Sequence, residues 1–382
     1  MSAADPANPA ARMQYDAVSV AQLLQSWSLR AYLKEYKDKV KGAVLVLDAN
    51  DTVSEALDKL SRRGVLAAPV LDTQRAVYWG WWGVADAVQA FIASNSDELL
   101  VLRHQIGPEP GVSAPGDSLL RDPHAKTTGE FALRHITSFQ PSSDGHMLHC
   151  AADPDFQHFT LLDLVQGAML HGGGWPVCHR VAVVQPVGTV LSVMHVVSQT
   201  DMMRFLLAHA DSLKALMSRT VADLGLVYIG RGQPKGVLCI GGSEPALDAF
   251  GAMMAAGMPC LGIVRDQGDG DDDVLVANLS ASDLRVVLPD RWGVLAQPVH
   301  RMLEMECAGG TARHVASHGG DSVSPQRRGV VSVSPTSTLH DTLALLVHSK
   351  LHHVFVIEPH ERRPLAVIST SDILRAVLAR EE

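Results

Sequence analysis

One pattern recurs four times along this chain, and a unit that is too small to hide its own apolar face must fold by packing against its copies. The unit is a short amphipathic helix, an apolar strand, a second strand, and a small polar motif that opens another helix. In the first copy the helix follows Asn50 and Asp51. Val53, Ala56, Leu57 and Leu60 recur on it at the i, i+3, i+4, i+7 spacing that turns one face to a core. Strands over 66–71 (LAAPVL) and 77–82 come next, then Gly83-Val-Ala-Asp86 and a helix with Val88, Phe91 and Ile92. The second copy has Leu162, Val165 and Met169 on its helix, strands over 179–185 and 191–197, and Ser198-Gln-Thr-Asp201 before Met203, Phe205 and Leu206. The third has Leu247, Phe250 and Met254, strands over 260–264 and 274–279, and Ser280-Ala-Ser-Asp283. The fourth has Leu339, Leu343 and Leu346, strands over 353–357 and 365–368, and Ser369-Thr-Ser-Asp372 before Ile373, Leu374, Val377 and Leu378.

Strands that read almost wholly apolar are those covered on both faces. Mixed helices and strands in short units predict small sheets flanked by helices, and four units give two pairs. The pattern divides the chain into an N-terminal extension 1–37, a first repeat 38–102, a linker insertion 103–147, a second repeat 148–215, a third repeat 216–307, a linker 308–329 and a fourth repeat 330–382. Both linkers are rich in polar and small residues and show neither helical nor strand periodicity.

Composition narrows the function classes. Apolar residues at 47% and charged residues at 19% support folded cores rather than a disordered chain. A formal net charge of −9 argues against nucleic acid or an anionic membrane as the partner. With 5% aromatic residues, a platform for stacking single strands is not expected either. No apolar run reaches the roughly 20 residues of a membrane helix. Cys150, Cys178, Cys239, Cys260 and Cys307 form no CxxC pair and are odd in number, which suits buried thiols in a reducing compartment. The opening MSAADPANPAARM has no basic stretch leading into an apolar core, so a cytoplasmic location is expected, with the nucleus open as well.

The repeated residues are similar to a known family. RGVLAAPVLD at 63–72, HRVAVV at 179–184, LSASDLR at 279–285, and KLHHVFVI with VISTSDIL in the last copy resemble the CBS repeat, named after cystathionine β-synthase. Four such repeats resemble the γ subunit of AMP-activated and sucrose-non-fermenting-type kinases and the plant four-repeat CBS proteins. The resemblance implies an α+β fold of four CBS repeats forming two tandem Bateman modules, and a regulatory role without enzymatic activity.

Read by itself, S/T-x-x-D at a helix start is a capping box, in which the hydroxyl accepts from an orphan backbone N–H and the acid favours the positive end of the helix dipole. The resemblance adds a ligand. In that family the aspartate accepts from both ribose hydroxyls of an adenosine ligand, the Ser or Thr contacts ribose or phosphate, and apolar strand residues sandwich the adenine. Carried onto this chain, the ribose positions are Asp86, Asp201, Asp283 and Asp372, and the hydroxyl positions are Ser198, Ser280 and Ser369. An ionised carboxylate is acceptor-only and can take two donors, which suits the role. Kinase γ subunits also carry a basic residue where each apolar strand begins. Here His179 and Arg180 hold that place in the second repeat and His352 and His353 in the fourth, while Leu66 and Cys260 replace it in the first and third. Phosphate recognition is therefore expected at the second and fourth repeats. Arg180 leads because guanidinium stays charged and binds in bidentate fashion, whereas the imidazoles help most when protonated. Gly83 stands where the first motif would carry a hydroxyl, so that repeat loses one polar contact.

Other signals carry less. HGGGW at 171–175 resembles a lipase oxyanion loop, but no G-x-S-x-G elbow accompanies it. GGSEP at 241–245 lacks a closing glycine. The run Asp266 to Asp273 has no EF-hand spacing, and the histidines show no paired metal spacing. The expectation is thus no catalytic residue, no metal and no cofactor beyond a regulatory AMP, ADP or ATP. Protein kinase catalytic and scaffold subunits are the partners the resemblance implies. The alternative is a ligand-free CBS scaffold or interaction protein with vestigial nucleotide sites.

Overall fold

The computed structural model describes residues 18–38, 43–94 except 73 and 76, 130–139, 145–149, 158–170, 178–227 except 188–189, 237–265 except 257 and 259, 274–286, 292–308, and 330–379 except 361. Each apolar run takes its place in a three-stranded sheet, one sheet per repeat. The first holds β1 (Leu47–Asp48), β2 (Ala67–Asp72) and β3 (Val77–Gly83), and the second β4 (Gly145–His149), β5 (Arg180–Val187) and β6 (Val190–Ser198). The third holds β7 (Cys239–Gly241), β8 (Cys260–Val264) and β9 (Leu275–Ser280). The fourth holds β10 (Ser332–Val333), β11 (His353–Ile357) and β12 (Pro364–Ser369).

In every sheet the middle strand pairs in parallel with the first and antiparallel with the third. A parallel pair needs a crossover, and the repeat's first helix supplies it. The middle strand therefore has neighbours on both sides and is the most apolar; Val354, Phe355 and Val356 are all buried. The leading strands β1, β4, β7 and β10 were not expected, since two to five residues are too few to show a period. A register shift recurs at one place in each antiparallel pair, at Val70/Leu71, Val183/Val184, Ile263/Val264 and Val356/Ile357.

The helix stripes follow the sequence with two adjustments. Val53, Ala56, Leu57 and Leu60 are buried on Val53–Arg63, and Leu339, Leu343 and Leu346 on Leu339–His348. In the second repeat, helix Leu161–Asp163 runs on as a π-helix, Leu164–Met169. Its wider turn brings Leu161 and Leu164 inward with Val165 and Met169, leaving Leu162 partly buried. In Ala246–Ala255 the small Ala246 and Ala249 face inward with Phe250 and Met253, while Leu247 and Met254 are only partly buried.

Each of these helices begins against a segment from outside its own helix–strand unit. Leu161 N donates to Trp27 O at 2.9 Å and Leu29 N to Phe159 O at 2.8 Å; Val53 and Ile136 exchange such bonds with Arg134 and Asp51 at 2.9 and 3.0 Å. Ala246 and Val299 do so with Gln297 and Glu244, and Val221 and Leu339 with Ser337 and Arg219. The orphan N–H groups of a helix start are satisfied in this way as well as by side-chain caps from Thr52, Thr160 and Thr338. Part of the N-terminal extension, Val20–Lys37, thus closes the second repeat. Within the stretch 103–147, Phe131 and Ile136 are buried in a core and β4 completes a sheet. Most of that stretch, all of 309–329, HGGGW and Asp266 to Asp273 lie outside the described residues, while GGSEP forms the turn from β7 into Ala246–Ala255.

Two large cores and two sheet contacts close the four repeats into a ring. Helices of the second and fourth repeats share one core with Val20–Leu33, and those of the first and third share the other. Sheet packs on sheet between the first and second repeats through Trp81, Ala182 and Val184. Cys260, Leu275 and Phe355 do the same between the third and fourth. Among the described residues, no helix is long and apolar enough to cross a membrane.

Candidate functional site

All four polar motifs form at the junction of a third strand with its following helix. Ser198, Ser280 and Ser369 each donate a backbone N–H to Oδ2 of the aspartate three residues on, at 2.8, 2.7 and 2.9 Å to Asp201, Asp283 and Asp372. Their hydroxyls reach the same oxygens at 2.8, 3.1 and 2.6 Å. In the first repeat Gly83 N donates to Asp86 Oδ2 at 2.8 Å. Every motif therefore caps its helix, and the cap occupies one carboxylate oxygen.

The remaining oxygen separates the second repeat from the fourth. Asp201 Oδ1 accepts from Arg204 Nη1 at 3.2 Å, and its Oδ2 also meets Lys37 Nζ at 2.7 Å. Its side chain is 9% exposed, against 46% for Asp372, whose Oδ1 lies 4.0 Å from Arg375. Asp283 is buried and Asp86 partly so. Gly83 has a steric cause: a Cβ there would collide with the Leu66 carbonyl and lie 2.6 Å from Ala67 Cβ, so a serine has no room in this backbone.

Strand register aligns the heads of the middle strands. Arg180 faces Ser198, His353 faces Ser369, Cys260 faces Ser280 and Ala67 faces Gly83. The counterpart of Arg180 in the first repeat is thus Ala67, one residue beyond the Leu66 that sequence spacing suggested. Histidines supplied by two repeats converge. His352 and His353 have ring centroids 6.3 Å apart, and His352 Nδ1 lies 2.9 Å from Thr200 Oγ1 of the second motif. Desolvation, then the neighbouring His352 and His179, push the His353 imidazole down to about 3. His353 is neutral near pH 7, not the cation expected at that position. Burial, then the charges of Asp283 and Asp372, push the Cys260 thiol up to about 12, so the third strand head is also uncharged.

The motif's middle residues, which sequence reasoning passed over, join the second and fourth repeats. Gln199 Oε1 accepts from Thr370 Oγ1 at 2.9 Å and Ser371 Oγ at 2.7 Å, while its Nε2 donates to Cys178 O at 3.1 Å. All three side chains are buried. Their signal in the sequence is a run of hydroxyl and amide residues at the start of an otherwise apolar helix. Among the described residues, no group of three or more His, Cys, Asp or Glu is placed to hold a metal ion.

Comparison with known proteins bears on this arrangement. The CBS domain model matches residues 323–379, which contain the open Asp372 motif. The fold is that of a CBS-repeat protein. The solved structure of protein MJ1225 from Methanocaldococcus jannaschii, proposed as an archaeal homolog of γ-AMPK, superposes with a TM-score of 0.56 over 88% of this chain and 96% of that one, at 13% identity. Protein SDS23 of Eremothecium gossypii is 25% identical over 196 residues, 48% of this chain and 36% of that protein. Protein SDS23 of Saccharomyces cerevisiae is 26% identical over 206 residues, 49% and 34% of the two chains. The matched region thus spans about a third of the length of these curated relatives.

Proposed function

We propose that this CBS-repeat chain is a non-catalytic regulator that binds an adenine nucleotide, AMP, ADP or ATP, at the fourth repeat. The half-exposed Asp372 carboxylate carries the reading, because its Oδ2 caps the helix while Oδ1, 4.0 Å from Arg375, takes no part in the cap at the positive end of the same helix. Ribose hydroxyls would donate to that oxygen. His179 and His352, near one another at the contact between the second and fourth repeats, and Arg180 at the head of β5 would face the phosphates. A nucleotide there would touch both repeats, and it could shift their relative position only as far as it prefers one arrangement over the other. The CBS-repeat fold supports a partner-regulating role; kinase catalytic and scaffold subunits are the partners to test first.

Calorimetric titration with AMP, ADP, ATP, NADH and S-adenosylmethionine tests the reading. Asp372→Asn keeps a cap acceptor but removes the charge, and it should weaken nucleotide binding at least tenfold, while Asp201→Asn should change it little. No heat from any nucleotide, or binding indifferent to Asp372→Asn, would overturn it. The closed Asp201 and the buried Asp283 favour a second reading, an interaction scaffold with vestigial clefts, and that is what a silent titration would support.

A further inference from the structure

The second repeat has the same Ser-x-x-Asp junction as the fourth, but part of its own chain sits on it. Asp201 Oδ2 takes three donors, Ser198 N, Ser198 Oγ and Lys37 Nζ, and Oδ1 takes Arg204 Nη1. A ribose diol needs two acceptor positions on this carboxylate, and both oxygens are engaged. Lys37 comes from far outside the repeat, at the end of the segment that closes it. That segment is anchored along its length: by the backbone bonds to Phe159 and Leu161, and by Trp27, Tyr32 and Tyr36 packed around Phe205, ring centroids 5.4 to 5.9 Å away. Asp38 then meets His195 Nε2 at 3.3 Å on β6. The lysine and its carboxylate are 18% and 9% exposed, so the pair is largely shielded from solvent. In the fourth repeat the equivalent carboxylate keeps its cap bonds from Ser369 on Oδ2, while its Oδ1 lies 4.0 Å from Arg375 of its own helix, and the side chain stays half open.

We propose that residues 19–38 are a built-in occupant of the second repeat's ligand site, with Lys37 holding the Asp201 carboxylate that a nucleoside diol would otherwise take. The inference rests on the reading that these aspartates serve as ribose acceptors. The two sites then differ in kind: the fourth is constitutively available, and the second is available only when the end of the segment that carries Lys37 moves off Asp201. Anything that removes the Lys37 charge or draws that segment away adds a ligand site to the protein.

The test is AMP titration of the full chain by calorimetry, comparing the unaltered protein with Lys37→Met, Lys37→Arg and the double variant Lys37→Met/Asp201→Asn. Lys37→Met should bind one more equivalent of AMP, the double variant should lose that equivalent, and Lys37→Arg should behave as the unaltered chain. If Lys37→Met does not fold, Lys37→Gln takes its place. Unchanged or weakened binding in the charge-removing variant, beside normal binding by the unaltered chain, overturns this inference and leaves the fourth-repeat reading standing. Binding that appears only in Lys37→Met and is lost in the double variant supports the inference and overturns the fourth-repeat reading. Absence of binding in every form overturns both.

Discussion

His353 illustrates how much one position can add beyond its identity. Its imidazole is held at about 3 by desolvation and by two neighbouring histidines, whereas an unfolded chain would titrate near 6.5. As pH falls from 7 toward 4 the unfolded state takes up this proton and the folded state does not, so stability declines with acidification. From this group alone the slope is at most about 1.4 kcal/mol per pH unit. Urea midpoints measured between pH 7 and pH 4.5 should fall in the native chain and fall less steeply in His353→Gln. Gly83 gives a residue prediction of opposite flavour. Gly83→Ser restores the family's hydroxyl but must displace Leu66 or Ala67, so it should destabilise by about 1–3 kcal/mol and add no nucleotide affinity. Asp201, Asp283 and Asp372 were legible as caps because Ser-x-x-Asp encodes a local hydrogen bond, and Asp86 was legible by its place in the repeat. The Lys37–Asp201 pair was not, because an ion pair between distant segments leaves no periodicity and no motif.

At the scale of the element, the middle strands and core-facing helices follow directly from their apolar spacing. The leading strands and the closing segments do not, since they are short and their bonds run between backbone groups of any sequence. The helix that begins at Gln199 has a second task that its apolar stripe conceals. Gln199 accepts from both Thr370 and Ser371 across the contact with the fourth repeat, and all three side chains are buried. Gln199→Leu should cost about 2 kcal/mol or more by leaving two buried hydroxyls without their acceptor. Adding Thr370→Val and Ser371→Ala to that variant should recover much of the loss, since removing every partner together is nearly neutral. Chemical denaturation of the single and triple variants measures both.

For the whole molecule the decisive feature is the order of contacts around the ring: sheets join the first repeat to the second and the third to the fourth, while cores join the first to the third and the second to the fourth. No module owns a complete core. Leu343→Ala, in the core of the second and fourth repeats, should cost about 2–5 kcal/mol and lower a single cooperative transition instead of splitting it in two. Calorimetric and van't Hoff enthalpies that agree in the variant would bear this out. Pairing by type was foreseeable from a fourfold repeat, but which helices share a core was not, since each apolar stripe would fit any of the other three. The ring also has a consequence for synthesis. The first and second repeats leave the ribosome with two half-cores whose partners lie in the third and fourth, and the last of those partners, Ile373, Leu374 and Val377, follow about 170 residues behind Met203 and Phe205 of the same core. Until then the nascent chain carries exposed apolar helix faces, which makes it a client for holdase chaperones and makes fragments that end before the fourth repeat prone to aggregate.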